Sequence, residues 1–281
     1  MPRTFDTLCV MRRPRQPNTG PILWQTLATM DTQLVALTGR LRVTGSIPRA
    51  LRTQPLLLAA NHISVFDPFV MIAACRRIGI TPRFLVASGI LDAPVVGRPL
   101  RASGHLSIDR AGNNPLEQLA EIGAELRASR SPIVVYPEGR VTHDPGLWPE
   151  RGKTGAARVA LEAGVPVIPV SQWGAHETVC WGKETISSPT DVLPQLRSGL
   201  TAPLRRPTYR VHFGEPVNLS EFSDNKPGDA VRAHGRIMQA ITDGLVPLRA
   251  AEPDRPRVHD PTRPTDTRSP WRPNTRQDTA G

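Results

Sequence analysis

The chain has 281 residues, enough for one α/β domain with tails and a sizeable core, and 39% of them are apolar. Its net charge of +10 is nearly all arginine, since only Lys153, Lys183 and Lys226 are lysines, and a basic body suits a phosphate-bearing substrate, a lipid surface or nucleic acid. Three cysteines without metal-ligand spacing, no run near the ~18 apolar residues of a spanning helix and no apolar stretch beside Arg12 and Arg13 exclude a disulfide framework, a transmembrane anchor and a signal peptide, so an intracellular protein is expected.

In chain order, residues 1–20 carry Arg3, Arg12, Arg13 and Arg15 with little to bury, and read as a disordered basic N-terminus. Residues 21–39 read as an amphipathic helix in which Leu23, Leu27, Met30, Leu34 and Leu37 recur at spacings of 4, 3, 4 and 3. That stripe either packs on the core or lies on a membrane surface flanked by arginines. Leu56–Ala60 is an apolar run suited to a buried strand, Pro68–Arg76 a helix, and Arg83–Ala87 and His105–Ile108 two more strands. Asn114, Pro115 and Glu117 form a helix-start signal, with Leu116, Leu119, Ile122 and Leu126 on one face. Ile133–Tyr136 is a strand, Thr154–Ala163 a helix stopped by Gly164, Val165–Val170 a strand, Tyr209–Phe213 a strand and Asp229–Leu245 a helix. This alternation predicts an α/β fold in which one domain, residues 21–249, builds a sheet flanked by helices. From Ala250 to Gly281 there are six prolines and six arginines against two large apolar residues, Val258 and Trp271, so a disordered tail of little importance to activity is expected.

Three constellations lie just beyond predicted strands, where α/β folds collect their sites. The first is Asn61-His62-Ile63-Ser64-Val65-Phe66-Asp67. Asp67, five residues on, is placed to fold back and accept the His62 ring N–H, which fixes the tautomer and frees the other nitrogen to take a proton. A purely structural alternative is that Asp67, before Pro68, caps the next helix and forms a capping box with Ser64. The second is Gly104-His105-Leu106-Ser107-Ile108-Asp109-Arg110, where the Arg110 fork suits a phosphate unless it is only half of a surface ion pair. The third is Tyr136-Pro137-Glu138-Gly139-Arg140. Here Gly139 lets the backbone approach a ligand, Arg140 offers a phosphate donor and Glu138 is suited to orient an arginine or a substrate hydroxyl, the plainer reading being a solvated tight turn.

Taken in order with Val167–Val170, these blocks resemble the glycerolipid acyltransferase family that includes bacterial 1-acyl-glycerol-3-phosphate acyltransferases, over about residues 40–220. The blocks are Asn61-His62 through Asp67, Gly104 through Asp109-Arg110, Pro137-Glu138-Gly139 and Val167-Ile168-Pro169-Val170. The resemblance implies a single acyltransferase domain with a mixed, mostly parallel sheet, as in glycerol-3-phosphate acyltransferase-like folds. It implies His62 as general base with Asp67 as its partner, and a substrate site formed by Arg110, Glu138, Gly139 and Arg140. The reaction implied is transfer of a fatty acyl group from an acyl thioester, on CoA or acyl carrier protein, to the free hydroxyl of lysophosphatidate in phospholipid synthesis. No metal or other cofactor is implied, and no nucleic-acid partner. With a lipid acceptor, the protein is expected on an anionic membrane, peripheral to the inner face of the cell membrane. One departure stands out. The family reads Glu-Gly-Thr-Arg-Ser where this chain reads Glu138-Gly139-Arg140-Val141-Thr142, so the displaced charge falls to Arg140, with His143 and Lys153 as other candidates. The same chemistry on another lysophospholipid or on a glycolipid stays open, as does a non-catalytic basic protein that binds membrane or nucleic acid. A P-loop is excluded, because Leu147 stands where Arg151-Gly152-Lys153-Thr154 would need its first glycine.

Overall fold

Leu57–Ala60 and Val167–Trp173 are short runs in which every residue is buried, the mark of strands covered on both faces. They lie side by side at the centre of a seven-stranded sheet in the computed structural model, which describes residues 20–52, 54–92, 97–109, 115–128, 131–182 and 188–273. The strands are β1 (Arg40–Gly45), β2 (Leu57–Ala60), β3 (Arg83–Ala87), β4 (Leu106–Ile108), β5 (Ile133–Val135), β6 (Val167–Trp173) and β7 (Thr208–Phe213), in the sheet order β1-β7-β6-β2-β5-β3-β4. From β6 to β4 every pairing is parallel, β7 runs antiparallel to β6, and β1 is parallel to β7. The sheet is therefore mixed and mostly parallel, as expected.

Alternate residues of the central strands feed two cores. Leu58, Ala60, Val134, Ile168 and Val170 pack toward α1 (Gly20–Thr38) and α2 (Asp67–Arg77). Leu57, Ala59, Ile133, Val135 and Val167 pack toward α5 (Pro115–Ala128), α6 (Gly155–Ala163) and α8 (Asp229–Leu248). Two short helices, α3 (Ser88–Leu91) and α4 (Gly97–Ala102), link β3 to β4, and α7 (Leu193–Arg205) lies against α1. Gly164 ends α6 in the left-handed conformation, as its position in the sequence suggested. β1 and α7 have no counterpart in the sequence reading.

Two expectations are corrected. In α1 the buried stripe is Trp24, Ala28, Asp31, Val35 and Thr38, whereas Met30, Leu34 and Leu37 are exposed. Leu27 is half-buried against the core, so the leucine stripe is divided between core and surface. The tryptophan sets the register, because its indole fills the space beside His105 with ring centroids 4.6 Å apart and donates to the Pro82 carbonyl at 3.1 Å. The second correction concerns the tail. Residues 250–273 are not disordered but run along the body without regular structure. Arg249 begins this course, its guanidinium held over the Trp148 and Trp173 rings at 3.9 and 4.2 Å. Burial lowers its pKa to about 10, and the stacking offsets part of the desolvation. Prolines reduce the entropy lost when such a segment is ordered, and side-chain hydrogen bonds supply what a hydrophobic core does not. The segments 1–19 and 274–281 lie outside the described residues, as does the helix-start signal at Asn114.

Candidate active site

Because β2, β5, β3 and β4 are parallel, the segments that follow them emerge on one edge of the sheet. Residues 61–67 follow β2 and residues 136–140 follow β5, its immediate neighbour, so these two constellations meet. The second, residues 104–110, contains β4 itself, two strands beyond β5, which places it roughly 14 Å from β2 at ~4.8 Å per strand. Arg110 itself lies outside the described residues.

His62 and Asp67 form the pair that the spacing suggested. The Nδ1 of His62 is 2.8 Å from Asp67 Oδ2, and the same oxygen accepts the amides of Ile63 at 2.6 Å and Ser64 at 2.8 Å. Asp67 is fully buried while the His62 side chain keeps 16% of its surface open. The capping alternative holds beside this one in part, since the Asp67 carboxylate accepts the Ser64 amide as in a capping box. The same carboxylate closes its own loop onto the imidazole, and Ser64 Oγ accepts the Phe66 amide. With Nδ1–H directed at Asp67, Nε2 is the nitrogen that can accept a proton from outside. The Tyr136 ring stacks on the imidazole, centroids 4.1 Å apart and planes 18° from parallel. Burial pushes the Tyr136 phenol well above its ordinary pKa, with the Asp67 charge adding to it, so the ring stays neutral.

The base of the loop is braced. Asn61 and Gln172 exchange three hydrogen bonds between the end of β2 and β6, at 2.7 to 3.0 Å. Glu138 is buried, and its Oε1 accepts the His62 amide at 2.7 Å while Oε2 accepts the Glu150 amide at 2.9 Å. Burial raises its pKa well above the usual carboxylate value, opposed by those two amides. Both oxygens are thus engaged by main chain, so Glu138 ties the two loops together and does not face the opening as a substrate contact. Gly139 has a φ of 74°, and a Cβ there would meet nothing nearer than Lys153 Cδ at 3.9 Å. Its left-handed backbone conformation by itself calls for glycine. Close approach occurs instead at Gly152, where a Cβ would stand 2.7 Å from the Pro137 carbonyl oxygen.

Arg140 is engaged by a carboxylate of its own loop and by the tail. It donates to Glu150 Oε2 through Nε at 3.1 Å and Nη2 at 2.8 Å, and to Thr267 Oγ1 at 3.0 Å. His143, another candidate cation, donates its backbone amide to Glu150 and sets Nδ1 2.9 Å from Asp266 Oδ1. His105, in the second constellation, is a structural residue: its Nδ1 accepts the Phe84 amide at 3.0 Å, and burial lowers its pKa to about 4. Sequence reasoning missed Glu150, the stacking of Tyr136 and every contact from the tail. Glu150 follows a proline in an irregular loop and carried no periodic or motif signal. Among the described residues no group of three or more His, Cys, Asp or Glu side chains gathers as metal ligands would.

A buried carboxylate, an oriented imidazole with one free nitrogen and a partly open loop at a sheet edge make a general-base arrangement. The acyltransferase family model matches residues 40–173, which contain all of this. Among similar proteins, the 1-acyl-sn-glycerol-3-phosphate acyltransferase of Chlamydomonas reinhardtii is 27% identical over 173 residues, 60% of this chain and 48% of that protein. The enzyme of the same name from Escherichia coli is 32% identical over 112 residues, 40% of this chain and 44% of that one. The chain spans about half the length, or less, of the curated relatives it matches. In structure it is similar to the 1-acyl-sn-glycerophosphate acyltransferase of Thermotoga maritima, with a TM-score of 0.55 and 18% identity over 81% of each chain, which supports the fold. Residues 40–173 of this chain thus match the acyltransferase family model, and the similar proteins named above are acyltransferases of glycerolipids.

Proposed function

We propose that the protein moves a fatty acyl group from an acyl thioester, on CoA or acyl carrier protein, to the free hydroxyl of lysophosphatidate, producing phosphatidate. The observation that carries this reading is the His62–Asp67 pair, with the carboxylate buried and Nε2 left to face a substrate. His62 would accept the hydroxyl proton as that oxygen attacks the thioester carbonyl. The tetrahedral intermediate would then expel the thiolate, which takes up the proton, so that a C–O bond replaces a C–S bond. No acyl-enzyme and no other cofactor is needed for these steps. The buried Asp67 would stabilise the imidazolium between the two transfers.

The acceptor's phosphate would be held by Arg110, two residues beyond β4 in the sequence. Arg140 is a weaker candidate because Glu150 and Thr267 already engage it. That engagement favours a second reading, the same chemistry on an acceptor without a phosphomonoester. Thiol release from palmitoyl-CoA, with lysophosphatidate and a lysophospholipid of blocked phosphate as acceptors, tests both. His62→Ala should lower kcat by about 10²–10⁴ with either acceptor, and thiol release at the wild-type rate would overturn the assignment.

We further propose that the protein works on an anionic bilayer, where the lipid acceptor resides, from the cytoplasmic side that supplies acyl thioesters. Among the described residues no helix is long and apolar enough to cross a membrane. What supports a surface contact is the pairing of α1 with α7. On α1, Ile22, Met30 and Leu37 are each more than 60% exposed, and on α7 the stripe Leu193, Leu196, Leu200 and Leu204 is 58–86% exposed. Arg197, Arg205 and Arg206 border the α7 stripe, and helix α7 holds no acidic residue. Apolar side chains rimmed by arginine match an anionic lipid surface.

A further inference from the structure

We propose that the C-terminal segment from Asp260 to Ser269 is a working part of the acyl-transfer site, and that Arg263 is a positioning residue for the His62 loop. The inference rests on the acyltransferase reading above, and adds a residue that lies outside the stretch matched to the family.

The geometry is specific. Arg263 Nη2 donates to the Ile63 carbonyl at 2.5 Å and Nη1 donates to the Thr142 carbonyl at 3.0 Å. The Thr142 amide in turn donates to the His62 carbonyl at 2.8 Å. One guanidinium therefore bridges the two loops whose contact carries the imidazole. Only a planar fork with several donors reaches both carbonyls at once, since a lysine offers a single point charge. The ring of Trp181 lies 5.5 Å from the guanidinium carbon. Burial lowers the pKa of Arg263, and the charges of Asp67 and Asp260 oppose that shift. The catalytic carboxylate and this arginine therefore attract one another, and Asp67 Oδ1 is buried without a hydrogen-bond partner of its own.

The neighbouring residues show that the segment is fitted to the site and does not merely drape over it. Asp260 accepts the Trp181 amide at 2.6 Å, and Asp266 meets His143 at 2.9 Å. Thr267 accepts from Arg140 at 3.0 Å, and Ser269 donates its amide to Asp144 at 2.9 Å and its hydroxyl to Pro149 at 2.5 Å. Four of these partners belong to residues 140–149, the loop that Glu138 joins to His62. The loop's own cation, Arg140, is spent on Glu150, so Arg263 brings the positive charge that touches the His62–Asp67 turn.

The test uses the full chain with Arg263→Ala and Arg263→Lys, and Arg255→Ala as a control on an exposed arginine shortly before the segment. Thiol release should show kcat reduced about tenfold to a hundredfold in Arg263→Ala, the scale expected when a catalytic group is displaced by about an ångström. KM for palmitoyl-CoA and for lysophosphatidate should each stay within about threefold. Arg263→Lys should recover only part of the loss, and guanidinium ion at tens of millimolar should restore part of the Arg263→Ala activity. Hydrogen exchange supplies a readout independent of turnover: the amides of Ile63, Ser64 and Thr142 should exchange at least tenfold faster in Arg263→Ala. If the wild type released no thiol, the acyltransferase reading would fail while exchange still judged the brace. Unchanged exchange at those amides overturns the proposal, as does wild-type kcat in Arg263→Ala, a loss confined to KM, or a rise in kcat that would mark the segment as an inhibitory cover. Should Arg263→Ala fail to fold, Arg263→Lys carries the same comparison.

Discussion

Helix α1 and the C-terminal segment invert what their compositions suggest. α1 is rich in leucine, yet Met30, Leu34 and Leu37 face outward and a carboxylate, Asp31, is turned in. The segment after Arg249 is proline and arginine with few apolar residues, yet it lies along the body and sends Arg263 into the loop beside His62. The difference teaches that composition sets how much a segment is able to bury, whereas the available partners set which face it buries. Trp24 has a pocket and a carbonyl at Pro82; Met30, Leu34 and Leu37 have none, and the exposed stripe of α7 continues their surface. Arg263 has two main-chain carbonyls and an aromatic face waiting for it.

The sharpest way to break this comparison is at the inner stripe of α1. Trp24→Ala should destabilise the fold by about 3–5 kcal/mol, read as a lowered denaturation midpoint, whereas a loss under 1 kcal/mol would mean that α1 is not anchored as described. Next is the segment itself. A chain ending after Glu252 should keep its sheet by far-ultraviolet circular dichroism but lose about a hundredfold in kcat, and full activity would return the segment to a passive role. Asp31 gives a pH signature. Burial raises its pKa to about 8, with Arg76 opposing, so the folded state holds a proton that the unfolded chain releases near pH 4. Between those values the folded state binds more protons, and stability should fall as pH rises, by up to about 1.4 kcal/mol per pH unit. Asp31→Asn should remove that slope in denaturant titrations at pH 5 and 8, and an unchanged slope would place the carboxyl in water. The smallest effect on stability is expected at α7. Leu200→Ser with Leu204→Ser should shift the midpoint by less than about 0.5 kcal/mol per site while weakening sedimentation with anionic liposomes, and equal sedimentation would sever this face from the membrane.

Much of the site was legible because its chemistry is local in sequence. His62 and Asp67 are five residues apart, and a strand followed by a turn and a helix leaves few ways for them to avoid one another. The brace formed by Glu138 was not legible in the same way. Its residue type suggested a substrate contact, and only the pairing of β2 beside β5 brings its carboxylate to the His62 amide. Arg140 shows the same limit from the other side, since the family-like loop marked it as a phosphate donor and a glutamate ten residues on claims it.

By itself, the sequence determined the alternation of buried strands and helices, the α/β class and the pairing of His62 with Asp67, because each depends on hydrophobic period or on neighbours a few residues away. Tertiary structure alone decided which face of α1 meets the core, that residues 250–273 are ordered, and that Arg263 bridges Ile63 and Thr142. These outcomes depend on contacts between residues as many as 200 positions apart. Such contacts form only after the sheet order has set which loops are adjacent, and no local pattern of residues encodes that order.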